Sequence, residues 1–162
     1  MKKINTFLLL PILFLALAAC ANHNKMSRSS TTKQAPLEYL QMERTACFGQ
    51  CPVYSIELYK DGRIIYTGKR YIADSGRYEK NIGKAVVAKI FKQFDAYQAD
   101  TCKSSYELMI QDLPGISYQY SRNDEMKTIQ NAHFGPGYLR HIANDIDSLG
   151  YYPSHKTWKK IQ

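Results

Sequence analysis

The stretch Val53-Tyr54-Ser55-Ile56-Glu57-Leu58-Tyr59 alternates so that Tyr54, Ile56 and Leu58 share one face, and Arg63 to Gly68 answers with Ile64 and Tyr66. A period of two belongs to a strand and not to a helix. Between the two runs stands Asp61-Gly62, read as a two-residue connection; a type I′ turn needs positive φ at both central positions, which this pair tolerates. The stretch therefore predicts a β-hairpin. A lone hairpin is at best marginally stable in water, so its apolar face must be completed by further strands and covered by another layer.

The rest of the chain supplies both. Leu40 and Met42 alternate with Gln41 and Glu43, which predicts a first strand. From Ile82 the period lengthens, with Val87, Ile90, Phe91, Phe94 and Tyr97 at three- and four-residue steps and Lys84, Lys89 and Lys92 left for water, as on an amphipathic helix. Strands are expected near Tyr106–Ile110, Ile116–Ser121 and Met126–Ile129, with a turn at Asp112-Leu113-Pro114-Gly115. A second helix is predicted from about Tyr138 to Leu149 on Leu139, Ile142, Ile146 and Leu149, with Gly150 placed to stop it. Strands, helix, strands, helix is the order of an α+β fold: an antiparallel sheet built of hairpins with two helices, compatible with a diverged strand-strand-helix duplication. The 13 tyrosines suit cross-strand pairing on a half-buried sheet better than a sugar-binding platform.

Ahead of the domain, residues 1–20 read MKKINTFLLLPILFLALAAC: two lysines, an apolar run from Phe7 to Leu17 interrupted by Pro11, then small residues and a cysteine. That is the pattern of a secretory signal, and the run falls short of the roughly 20 apolar residues a spanning helix needs. Leu17-Ala18-Ala19-Cys20 resembles the lipobox of bacterial lipoproteins. The resemblance implies cleavage before Cys20, a diacylglycerol on its thiol and fatty-acyl (palmitate-type) membrane anchoring; two or three chains anchor firmly where one is marginal. In such lipoproteins an aspartate after the cysteine is the usual inner-membrane retention signal. Ala21 stands there instead, so the expected location is the outer membrane, facing the periplasm. The chain then divides into a signal peptide (1–19), a lipidated cysteine with a polar tether (20–36) and a single globular domain (37–162). The tether, nearly devoid of apolar residues, has a reach of roughly 20 Å.

The formal charge is +8, and without Lys2 and Lys3 it is +6, from 20 basic and 14 acidic residues. A basic balance outside the cytoplasm points to anionic lipid, cell-wall polymer or an envelope protein as partner, and not to nucleic acid. Lys156, Lys159 and Lys160 cluster around Trp158 in a tail that reads as a frayed end.

The most distinctive stretch is Arg44-Thr45-Ala46-Cys47-Phe48-Gly49-Gln50-Cys51-Pro52-Val53-Tyr54. In an oxidising compartment Cys47 and Cys51 are expected to form a disulfide clip at the start of the hairpin, Gly49 allowing the tight bend. With Cys20 taken by lipid, Cys102 is the third thiol; it stays free in the simplest account, while a bridge from Cys102 to Cys47 or Cys51 is the open alternative. The C-F-G-x-C-P-x-Y motif followed by a strand, Asp-Gly, a second strand and a helix resembles a bacterial family of lipoprotein and secreted domains of unknown function, over most of Leu37–Leu149. The resemblance implies no catalytic residue.

A second resemblance is narrower. C-x-x-x-C-P with a distant histidine is similar to the copper site of thioredoxin-like periplasmic copper chaperones, which would make Cys47 and Cys51 soft ligands for copper or zinc, joined by His133 or His141. Those chaperones set the motif between a strand and a helix of a parallel fold, whereas a hairpin follows it here. His141 with Asp145 one turn on reads as an ordinary helix-surface pair. No paired carboxylates, nucleophile triad or phosphate loop stands out. The expectation is therefore an envelope lipoprotein acting as a non-enzymatic binding or assembly module. It has no cofactor beyond its covalent lipid; metal binding is the alternative, and a thiol redox enzyme or hydrolase the third reading.

Overall fold

A computed structural model describes residues 34–107, 109–110 and 112–162; the expected signal sequence, Cys20 and the expected tether as far as Lys33 lie outside them. Seven strands, β1 (Tyr39–Arg44), β2 (Val53–Tyr59), β3 (Arg63–Arg70), β4 (Gly76–Asn81), β5 (Ile116–Arg122), β6 (Glu125–Ile129) and β7 (Lys159–Lys160), form one sheet in the order β6-β5-β1-β2-β3-β4-β7. Every neighbouring pair is antiparallel. With helices α1 (Lys84–Ala96) and α2 (Gly137–Gly150) this is an α+β fold.

The register explains the core. Leu40 faces Leu58 and Tyr120, Leu58 faces Ile64, and Met42 faces Ile56 and Tyr118, so alternate residues of four strands fall on one face. They are buried together with Val87, Ile90 and Phe94 of α1 and Leu139, Ile142 and Ile146 of α2. Burying each such side chain is worth about 1.5–3 kcal/mol, which is what holds the helices to the sheet. The opposite face is polar: Tyr59 donates to Glu57, which also accepts from Arg77, while the Arg63 guanidinium lies over the Tyr59 ring. Four strands precede α1 and two precede α2, and β1 sits between β2 and β5, so the two halves share the centre of the sheet unequally.

Several local expectations are corrected. The β2–β3 connection is three residues, Lys60-Asp61-Gly62; Leu58 pairs with Ile64, and of Asp61 and Gly62 only the glycine has positive φ, +95°. A turn closed by one left-handed glycine needs no strain at Asp61. Gly62 has a second use, since a Cβ there would lie 2.6 Å from the backbone of Gly83 and Lys84, where α1 begins. A two-residue turn with positive φ at both positions occurs instead at Asn123-Asp124, between β5 and β6. α2 does end at Gly150, as expected, but without a left-handed turn there, and a Cβ on this residue would meet Ile56 at 2.8 Å.

Among the described residues no strand forms over Tyr106–Ile110. Gln130 takes both backbone bonds available there, donating to Ser104 and accepting from Tyr106, after which the chain departs. β4 and β7 were not expected. β4 has Tyr78 as its one large apolar residue, so it lacks the alternation that marks β2 and β3. The tail is not frayed: β7 pairs with β4, Ile161 donates to the Arg77 carbonyl, and His155 and Trp158 are buried.

Candidate functional site

β1, β3 and β6 end, and β2, β4 and β5 begin, at the same end of the sheet. Three loops meet there: the disulfide loop 45–52, the β3–β4 loop 71–75 and the segment leading to Ile116. The Thr45 amide donates to the Gly115 carbonyl, joining the first and third. Among the described residues, five of the nine exposed large apolar side chains belong to this end. Phe48 is 79% exposed at the tip of the disulfide loop, Tyr71 stands on a left-handed residue with φ +54°, and Met109, Ile110 and Leu113 project from the third loop. Exposed apolar side chains gathered at one place, unlike scattered ones, mark a contact surface. Beside them is a cleft of about 380 Å³, lined by Tyr66, Asp74, Tyr151, Tyr152, Ser154 and His155.

Buried polar side chains fix this end from below. Asp147 is 3% exposed on the sheet-facing side of α2. Its Oδ2 accepts from Arg44 Nη2 at 2.6 Å and from Nε at 3.2 Å, and its Oδ1 accepts from the Tyr54 hydroxyl at 2.7 Å. Arg44 and Tyr54 flank the disulfide loop, so one carboxylate ties both of its stems to α2. Burial, then the bond to Asp147, pushes the Tyr54 hydroxyl well above the usual tyrosine range. The Tyr151 ring stacks on Tyr54 with centroids 4.3 Å apart. His155, also 3% exposed, stacks on Tyr66 at 4.1 Å; its ring nitrogens face Asp74 Oδ2 at 2.9 Å and the Gly150 carbonyl at 2.7 Å. The β3–β4 loop and the segment after α2 are thereby pinned together. The Asp147 oxygens accept from fixed partners, and His155 Nε2 faces a carbonyl to which it can only donate, so both side chains hold this end of the sheet in position.

Cys47 and Cys51 are joined in a disulfide, Cα atoms 5.7 Å apart, and the Gly49 amide donates to Cys47 Sγ. Cys102 is a free, half-buried thiol, 3.1 Å from the Tyr138 hydroxyl, which burial, then the bond to Cys102, pushes up to about 12. The structure does not gather the metal candidates Cys47, Cys51, His133 and His141: among the described residues no three His, Cys, Asp or Glu side chains are grouped to hold an ion. His133 is held against protonation by burial, then by Arg140 and Arg44. His141 is exposed on α2, and Asp145 accepts from Gln93 at 2.9 Å.

Sequence reasoning placed Arg44 and Tyr54 at the ends of the cysteine motif without a role in the site, and gave none to Asp147 or His155. One signal was present: Asp147 stands four residues after Ala143 and one after Ile146, a charge set into the apolar stripe of α2. His155 carried none, since its partners Asp74 and Gly150 lie in segments whose pairing follows from the sheet.

The model of the family described as domain of unknown function (DUF6438) matches residues 38–150. No curated protein matches the chain.

Proposed function

The chain belongs to that family of domains, and we propose that it is a lipid-anchored envelope lipoprotein whose loop end binds another component of the envelope. Cys20 carries the lipid, the tether gives the domain reach, and the outer membrane facing the periplasm is the site of action. The carrying observation is Phe48, an exposed aromatic at the tip of a loop closed by the Cys47–Cys51 disulfide and tied at both stems to Asp147. A preorganised loop presents an aromatic anchor with little ordering cost on binding, which is how few residues come to dominate an interface. The neighbouring apolar tips extend the contact, and the cleft at Tyr66, Asp74 and Tyr151 accepts a protruding group of the partner.

The anchor is tested by the mass of the mature amino-terminal peptide and by fractionation of envelopes. An acylated peptide beginning at Cys20, in the outer-membrane fraction, is expected; an unmodified cysteine in a soluble fraction refutes the anchor. The binding role is tested by Phe48→Ser, which leaves the fold intact and weakens capture of the partner by about tenfold or more, as loss of an interface anchor does.

A further inference from the structure

The described chain begins beside α1. The Ala35 carbonyl accepts from Arg122 Nη1 at 2.5 Å, the Glu38 amide donates to the Ser121 carbonyl, and Leu37 is buried. These residues lie at the end of the sheet opposite the disulfide loop, where α1 also starts against Gly62. A recess of about 290 Å³ brings Pro36 and Leu37 together with Lys60, Ala88, Phe91 and Lys92. Pro36 and Leu37 therefore lie beside α1.

The outer face of α1 is cationic and smooth. Lys84, Lys89 and Lys92 are exposed, with Ala85 and Ala88 between them, and among the described residues none of the three lysines is in an ion pair. The acids around it are engaged: Asp95 with Arg122, Glu38 with Lys60, and Asp145 with Gln93 across the groove between the helices. In the sequence, residues 21–36 add Lys25, Arg28 and Lys33 and no acidic residue.

We propose that this face of α1, with Lys84, Lys89 and Lys92, is the surface by which the domain rests on the anionic phospholipid headgroups of the membrane that holds its lipid. The proposal rests on the anchor reading and adds an orientation to it. Basic residues near an anionic leaflet are attracted within about a Debye length, roughly 8–10 Å. The small alanines let the helix approach that closely. With α1 down, the loop carrying Phe48 stands at the far end of the sheet, directed away from the lipid.

The test uses the mature full chain purified from envelopes, mixed with vesicles of phosphatidylcholine alone or with phosphatidylglycerol, and reads lysine acetylation by mass spectrometry. Lys84, Lys89 and Lys92 are expected to lose reactivity at least about threefold with phosphatidylglycerol only, an effect that salt reverses, while Lys127 and Lys156 do not change. Lys60, in the recess beside α1, should be protected with them, and a variant with Lys84, Lys89 and Lys92 each changed to Gln should lose that phosphatidylglycerol-dependent protection at Lys60. Equal reactivity on both vesicles, or protection as strong at Lys127 and Lys156, overturns the proposal. The same spectra report acylation of Cys20. An acylated chain without selective protection removes the docking face and keeps the anchor; selective protection of an unacylated chain does the reverse.

Discussion

Asp147 is the residue on which the loop end depends. It has left water, it is the partner of a guanidinium whose side chain is 16% exposed, and it accepts the Tyr54 hydroxyl. A charge set so deep contributes little net stability, yet removing one partner strands the other. Asp147→Ala is expected to cost about 3 kcal/mol in chemical denaturation, while the double variant Asp147→Leu with Arg44→Met recovers part of the loss. A double variant no more stable than the single would show that the pair acts otherwise. Gly150→Ala should cost about 1–3 kcal/mol by overpacking against Ile56, and that added cost should vanish in a chain already carrying Ile56→Ala, which removes the Ile56 Cγ1, Cγ2 and Cδ1 atoms a Cβ would meet. The clip itself is worth about 2 kcal/mol for a five-residue ring, so Cys47→Ser with Cys51→Ser lowers stability by about that and leaves the sheet formed. Much of this was beyond a reading of residues one at a time. Asp147 interrupts an apolar stripe visibly, but that Arg44 and Tyr54 would both reach it follows only from the β1–β2 register.

At the scale of elements, β2, β3 and both helices were legible because their apolar periods are regular. β4 was not: Gly-Arg-Tyr-Glu-Lys-Asn is held by backbone bonds to β3 and by the tail, and backbone bonds leave no mark on side-chain pattern. The tail had the opposite fault. Its lysines suggested solvent, and Trp158 between them, 7% exposed, is in fact the plug over the sheet's end. Trp158→Ala should cost about 3–5 kcal/mol and speed amide exchange at Arg77 and Glu79, on β4, before the rest of the sheet. Unchanged exchange there would mean the tail is not what secures that edge.

Taken whole, the molecule is a tyrosine-rich sheet whose hydroxyls resist ionisation. Burial, then the bond to Glu57 and its charge, pushes Tyr59 up to about 12, and burial puts Tyr118 higher still. Such groups keep their proton in the folded state after the unfolded chain has lost it near pH 10, so folding stability should fall as pH rises above about 10. Denaturation midpoints followed from pH 8 to 11 check the sign, and Tyr118→Phe should flatten the decline. The fold class was legible from the order of elements. The loop end was not, because it is assembled from three segments distant in sequence, each unremarkable alone. Its role is tested most directly by a photo-crosslinking residue placed at Phe48 in living cells, with Gln119 on the open sheet face as the comparison site. A discrete adduct from position 48, absent from position 119 and lost when Cys47 and Cys51 become serine, is the result predicted; no adduct from position 48, or equal adducts from both positions, would contradict a binding role for the loop end.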